Sequence, residues 1–327
     1  VLIYLLRRVL LGLSVIIAAI IATFVLFYLG PNDPAGALCG RNCTPERVEQ
    51  IETNLGLNKP KTEQFQRYVK GIVVGTSEKD GAQDCDAPCL GWSYVQNRSV
   101  TDRVVEAFPV TASIVGGGMI VYSFLGISLG VLTARYRGRW LDKSIVGSSQ
   151  FVTSIPYYIL ALVFYLYAMK FYGLIPESAW TPLTQNPWAW FTGLLGVWLF
   201  YGAYVSAGYI RYIRAAMIDT QNQDYVRTAR SKGISEFDVT VKHALRAAIA
   251  PFLTLLGMGV AAELTGAVFT ERIFNLPGMG KLALDSVSTG DLPTISGTVI
   301  IGAVLIVIAN ILVDLMYGVV DPRVKLS

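Results

Sequence analysis

The sequence predicts an all-α membrane protein with six transmembrane helices and a long extracytoplasmic segment after the first of them. Three observations predict it. Hydrophobic residues make up 53% of the chain and charged residues 15%, against about 25% charged in a soluble domain, and the mean hydropathy is +0.49. Apolar runs long enough to cross a bilayer alternate with short polar segments. Basic residues gather in alternate connections, the asymmetry that orients membrane helices. A soluble core has no use for so many helices with apolar outer faces. The net charge of +4 follows from that orientation and requires no nucleic-acid partner.

The first span, Val9–Leu29, follows Arg7 and Arg8. Its run of about 21 residues exceeds the roughly 7–15 of a secretory signal core. We therefore read a retained helix, although Ala35-Gly36-Ala37 resembles a cleavage site. The second span is Pro109–Ala134, the third Ser144–Phe171 with Pro156 inside it, the fourth Phe191–Ile210, the fifth Pro251–Phe274 and the sixth Ser296–Tyr317. Gly and Pro are tolerated within spans where neighbouring helices satisfy the freed backbone groups. Gly116–Gly118 reads as a close-packing surface in the second span, not a phosphate loop. Trp180, Trp188 and Trp190 cluster before the fourth span, where an aromatic interface belt belongs.

Orientation follows from charge. Arg7 and Arg8, then Arg135, Arg137, Arg139 and Lys143, then seven basic residues from Arg211 to Arg246, then Arg323 and Lys325 all fall on one side of a six-span chain. That side is cytoplasmic, so both termini are inside. The segments are then an N-terminal helix over 1–30, an extracytoplasmic segment over 31–108, a cytoplasmic loop over 215–250 and a cytoplasmic tail over 318–327.

The loop between spans four and five carries the most local information. Asp224 is a suitable N-cap and Gly233 a suitable stop for a helix of about nine residues, too short to be stable alone in water. Ser235 and Asp238 form a capping box that opens a second helix bearing Lys242, His243 and Arg246, and Pro251 suits the start of a new helix. Two readings stand: a stiff basic lever fused to the fifth span, and a positive-inside loop that happens to be helical.

Acidic residues inside spans carry a functional reading by default. Glu263 lies in the middle of span five, where it lines a path, is protonated, or pairs with another subunit. Asn310 and Asp314 in span six read as interhelical bonding groups, and Glu271 as part of an outer gate or interface. Ser154, Tyr157 and Tyr158 flank Pro156, whose kink lines a cavity or packs helices. The single histidine excludes a His-Glu-x-x-His metal site, and no Gly-x-x-x-x-Gly-Lys-Ser/Thr loop is present. His243 in the lever reads as structural or docking. The four cysteines, Cys39, Cys43, Cys85 and Cys89, all fall in the extracytoplasmic segment. We expect two disulfides there, with cross-linking between the two pairs bracing the segment more than local closure. A four-cysteine zinc site is the rival reading.

Asp224 through Gly233, followed by Lys242-His243-Ala244-Leu245-Arg246 and Pro251, resembles the signature loop of bacterial ABC importer permeases in the form of the dipeptide/oligopeptide/nickel branch. The common loop reads Glu-Ala-Ala, three residues, Gly and a later Pro. Here Ala229 and Gly233 match, while Arg227 and Thr228 stand where the Glu and first Ala belong. Tyr4–Arg8 with Gly30-Pro31-Asn32-Asp33-Pro34, Leu55–Pro60, Gly266–Phe274 with Pro277-Gly278-Met279-Gly280, and Asp314 to Val324 resemble further elements of that branch. The match is poorest over Gly36–Cys43 and Ser77–Gly91.

The resemblance implies a type I ABC importer permease fold, with residues 101–317 as its transmembrane domain of five helices. It implies a non-catalytic permease subunit in a bacterial inner membrane, forming half of a translocation path for peptides. The implied partners are a second homologous permease subunit, two ABC ATPase subunits that use ATP and Mg, and an extracytoplasmic solute-binding protein. The chain itself would hold neither cofactor nor metal. Asp224, Tyr225, Arg227, Thr228, Ala229, Arg230, Lys232, Gly233 and His243 would couple it to the ATPases. Nickel, glutathione or oligosaccharide are other cargoes of such machines. An ion-coupled secondary transporter is the alternative of a different class, marked by several buried ionisable residues and inverted repeats.

Overall fold

The computed structural model describes residues 2–28, 35, 44–55, 58–77, 84–264 and 266–320. Cys39, Cys43, Ala37, the Gly30–Pro34 element and the tail beyond Val320 lie outside them. The chain divides into two compact units, one formed by Val1–Thr111, Leu264–Glu271 and Pro277–Ile308, the other by Ala112–Glu263, Arg272–Leu276 and Ala309–Ser327.

Among the described residues, four helices are long and apolar enough to cross a membrane: Leu6–Leu26, Val100–Arg135, Pro187–Gln221 and Leu292–Leu312. Two bent pairs, Trp140–Ser154 with Tyr157–Phe171 and Glu236–Ile249 with Phe252–Glu263, each pass the same test as one broken span. The sequence and the structure therefore differ in continuity more than in position.

In the first unit, α1 (Leu2–Tyr28) is followed by α2 (Pro45–Leu55) and α3 (Lys61–Val74). Phe24 of α1 meets Phe65 edge-on at 5.0 Å and Tyr68 at 5.9 Å. Strands β1 (Trp92–Ser93) and β2 (Arg98–Ser99) pair antiparallel and lead into α4 (Val100–Arg135). Leu90, Val100, Val104 and Ala107 form a core with Met279 and Ile300. Those last two come from α12 (Met279–Thr289) and α13 (Leu292–Val320). Cys85 bonds Cys89, with Cα atoms 5.7 Å apart. This local closure corrects the expected cross-link to the other pair. Thr76 and Cys85 exchange backbone hydrogen bonds, and the Thr76 hydroxyl lies 3.8 Å from Cys89 Sγ. With two of the four thiols oxidised together, the zinc alternative also fails.

In the second unit, α5 (Trp140–Ser154) and α6 (Tyr157–Phe164), the latter continued by a π-turn over Tyr165–Phe171, meet at a 99° bend. A single third span kinked at Pro156 was expected, and the bend is sharper than a kink within one helix. Pro156 lacks an N–H and pushes the preceding residue out of the helical region, and Ile155 is accordingly extended at φ −95°, ψ 132°. Its freed carbonyl accepts from the Tyr204 hydroxyl at 3.3 Å. Helix α7 (Pro187–Gln221) starts earlier and ends later than the apolar run. Asn186 Oδ1 accepts from the Trp188 and Ala189 N–H groups, and Pro187 occupies the first helical position, a strong local start. Gly117 and Gly118 of α4 leave room for the rings of Trp198 and Tyr201, which a Cβ would strike. The close-packing reading of the glycine run therefore holds at Gly117 and Gly118, whereas a Cβ at Gly116 would meet nothing within 4 Å.

Helix α4 begins nine residues before the expected Pro109, because Val100–Phe108 is amphipathic rather than uniformly apolar. At 36 residues it is about 54 Å long, well over the roughly 30 Å of a hydrocarbon core. The expected fifth span is not one helix. After α8 (Asp224–Ser231), the short α9 (Glu236–Asp238) and a π-turn over Val239–Leu245, α10 (Arg246–Glu263) bends by 50° between Ile249 and Phe252, beside the expected start at Pro251, without ending there. The chain then breaks and resumes as α11 (Val268–Ile273). Gly266 sits in the break at φ +139°, where a Cβ would come 2.6 Å from the Gly280 Cα, so only glycine fits.

Candidate functional site

Helix α8 forms where the sequence placed it, with one correction. Asp224 is its first helical residue; Gln223 occupies the cap and offers no side-chain bond. Gly233 stops it in the left-handed region at φ +74°, and its N–H donates to the Arg230 carbonyl at 2.9 Å. Half of the expected capping box is present: the Asp238 N–H donates to Ser235 Oγ at 3.2 Å, while that hydroxyl donates to Asp238 Oδ2 at 2.8 Å, so the carboxylate meets the Ser235 hydroxyl and not its N–H.

The inner face of α8 is apolar. Val226 and Ala229 are buried against Val239 and Ile234. Full burial of each valine contributes about 1.5–3 kcal/mol. The exposed pair of Arg230 Nε and Glu236 Oε1 at 2.9 Å contributes at most about 1 kcal/mol, so packing fixes the helix. Of the nine coupling candidates, Ala229 is thus spent on the chain's own core, and His243 is half-buried. Asp224, Tyr225, Arg227, Thr228, Arg230, Lys232 and Gly233 are exposed.

Around Glu263 the structure gathers residues from several helices of the second unit. The Tyr122 hydroxyl lies 3.5 Å from Glu263 Oε2. Tyr122 stacks on Tyr209 at 5.3 Å and meets Tyr201 edge-on at 6.3 Å. Tyr157 joins through Tyr201 at 6.3 Å and Tyr204 at 5.0 Å. Such a setting offers one carboxylate and several π faces and hydroxyls, a donor set suited to an ammonium or a polar backbone. The other flanking residues do not join it. Ser154 Oγ donates to the Gln150 carbonyl of its own helix at 2.8 Å, and Tyr158 is 49% exposed.

A family model described as "Binding-protein-dependent transport system inner membrane component" matches residues 126–326, and the corresponding N-terminal model matches residues 1–115. The chain belongs to this permease family. Among curated relatives of the permease, a Brucella abortus protein provisionally named a peptide transport system permease is 32% identical over 98% of both chains. A provisionally named peptide permease of Brucella suis is 33% identical over 99% of both. The dipeptide transport system permease protein DppB of Escherichia coli is 30% identical over 98% of both.

Two features of the permease escaped the sequence reading. Tyr122 and Tyr201 look like ordinary span aromatics, with nothing local to tie them to Glu263. Glu271, read as a gate or interface residue, is fully buried and caps α12. Thr111 Oγ1 donates to Glu271 Oε1 at 2.6 Å, and the Lys281 N–H donates to Oε2 at 2.8 Å. The Met279 N–H donates in turn to Thr111 Oγ1 at 2.8 Å. The first N–H groups of α12 thus find acceptors, and the carboxylate sits at the positive end of the helix. Gly278 makes this possible, since a Cβ there would strike the carboxylate. A second clasp joins Asp291, which is 1% exposed, to Arg103 Nη1 at 2.7 Å and to the hydroxyls of Ser93 at 2.6 Å and Thr294 at 2.7 Å. Asn310 is exposed, and the Asp314 side chain lies outside the described residues.

Proposed function

We propose that this permease forms half of a peptide path in an ATP-driven importer. It crosses the membrane six times, counting each bent pair as one span, with both termini cytoplasmic and residues 31–108 outside. The observation that carries the reading is α8, locked by its apolar face to its own chain while Tyr225, Arg227 and Lys232 stay exposed. A short helix so held transmits force to α10 and needs a partner on its outer side. Two ATPase subunits using ATP and Mg supply that partner, a second permease completes the path, and a solute-binding protein delivers cargo. The names of the full-length relatives support peptide as the cargo. Glu263 and its tyrosines meet the peptide's ammonium terminus.

The cargo test is uptake into vesicles containing the whole complex. Glu263→Gln keeps shape and removes charge. It is expected to lower uptake of a free-amine peptide about tenfold, with a smaller effect on the acetylated form. Equal losses for both would make Glu263 structural, and nickel uptake without peptide uptake would overturn the cargo. Topology is tested separately. Single cysteines at Arg139, Ser231 and Ser327, in a background without the four natural ones, are expected to label only from the cytoplasm. Labelling of Ser231 from outside would end the six-span reading.

A further inference from the structure

The turn between α4 and α5 is basic, rigid and unusually apolar for a polar connection. Arg135, Arg137, Arg139 and Lys143 are all exposed. Among the described residues none of them is in an ion pair with an acidic side chain. The one acid in the stretch, Asp142, is 3% exposed and already committed. It receives Arg214 Nε at 2.6 Å and Nη2 at 2.8 Å, and the Gly138 N–H donates to it at 2.8 Å. Arg137 feels Asp142 only as a background charge.

The same contacts make the turn stiff. The bidentate pair is the strong form of a carboxylate contact, and it ties the start of α5 to α7. Gly138 turns at φ +78°. Arg135 and Arg139 both lie over the Tyr136 ring, at 5.9 and 5.6 Å from its centroid. The cations are therefore presented by a fixed frame. Beside them Trp140 is 76% exposed and Leu141 38%. An exposed tryptophan among cations where a long apolar helix ends is the composition of a membrane interface, the indole among headgroups and the cations on phosphate.

We propose that this turn is a binding site for an anionic phospholipid headgroup, held by Arg135, Arg137, Arg139 and Lys143 with Trp140 seated at the acyl boundary. It does not depend on the peptide reading, so the failure of either leaves the other standing. The site would tie the α4–α5 turn to the bilayer surface while the Asp142–Arg214 pair holds it to α7.

The test is native mass spectrometry of the purified transport complex, with phosphatidylglycerol and phosphatidylcholine as probes. Wild type is expected to retain phosphatidylglycerol over phosphatidylcholine, less so at high salt. The combined Arg135→Gln, Arg137→Gln, Arg139→Gln and Lys143→Gln variant is expected to lose at least about tenfold in phosphatidylglycerol retention, with phosphatidylcholine unchanged. If that variant fails to assemble, the pair Arg137→Gln and Lys143→Gln, neither of which touches the Tyr136 ring, is expected to show a smaller loss. Replacing the three arginines by lysine is expected to preserve binding. Trp140→Ala is expected to weaken both lipids. Equal retention by the neutralised variant would overturn the proposal. So would displacement of the lipid by millimolar inorganic phosphate, which would make this a free-phosphate site. Loss of the ATPase subunits with lipid retention intact would mark a protein-docking face instead.

Discussion

Glu271→Ala is expected to lower the stability of the permease by about 3 kcal/mol or more. The substitution removes the acceptor for the Lys281 N–H and for the Thr111 hydroxyl, in a place fully closed to solvent. Each buried polar group left without a partner costs about 1–3 kcal/mol, and the cavity left by the side chain adds to this. Glu271→Gln separates the two parts of that cost. Its carbonyl can still accept from Lys281, and its amide can donate to Thr111 Oγ1, which already accepts from Met279. The threonine hydroxyl then loses its own acceptor, so the expected loss is about 1 kcal/mol. Melting curves of the detergent-solubilised complex are expected to rank wild type above Gln above Ala. An alanine variant that melts with wild type would show that the clasp contributes nothing. Gly278→Ala is expected to resemble Glu271→Ala, because its Cβ occupies the carboxylate's place.

Gly233→Pro is expected to abolish coupling while the complex still assembles. Gly233 adopts φ +74° and donates its N–H to the Arg230 carbonyl. Proline holds φ near about −65° and has no N–H, so the turn from α8 to α9 cannot keep its geometry. The apolar contact of Val226 with Val239 then competes with a redirected chain. Gly233→Ala is the graded control. A Cβ at that position meets nothing within 4 Å, so alanine carries only the left-handed backbone cost of about 1–2 kcal/mol. ATPase stimulation by cargo-loaded binding protein is expected to fall about tenfold or more in the proline variant and only slightly in the alanine variant. Near-wild-type stimulation in the proline variant would remove α8 as the lever. Lost assembly in both would mean that the turn serves docking and not transmission.

Much of this permease was legible because its signals are local. The stop at Gly233, the Ser235–Asp238 box and the apolar runs each depend on residues within a few positions of one another. The breaks were only half legible. Pro156 announced a kink, but neither the 99° bend nor the Tyr204 hydroxyl that reaches the Ile155 carbonyl. Pro251 looked like a helix start, and the chain bends by 50° between Ile249 and Phe252 without ending α10. The preference for a long-range disulfide rested on loop entropy, and the structure closes Cys85 on Cys89 instead.

Hydropathy and charge order determined by themselves that this chain is helical and membrane-spanning, and the motif of the 224–251 loop determined its family. Helical periodicity tells which face of a helix is buried but not which helix will cover it. The partners of Glu263, Glu271 and Asp291 therefore had no local signature. They stand 141, 160 and 188 positions away along the chain, at Tyr122, Thr111 and Arg103. Only tertiary packing could make a buried carboxylate the cap of α12 and spend Asp142 on Arg214, leaving four arginine and lysine side chains of the α4–α5 turn without an acidic partner among the described residues.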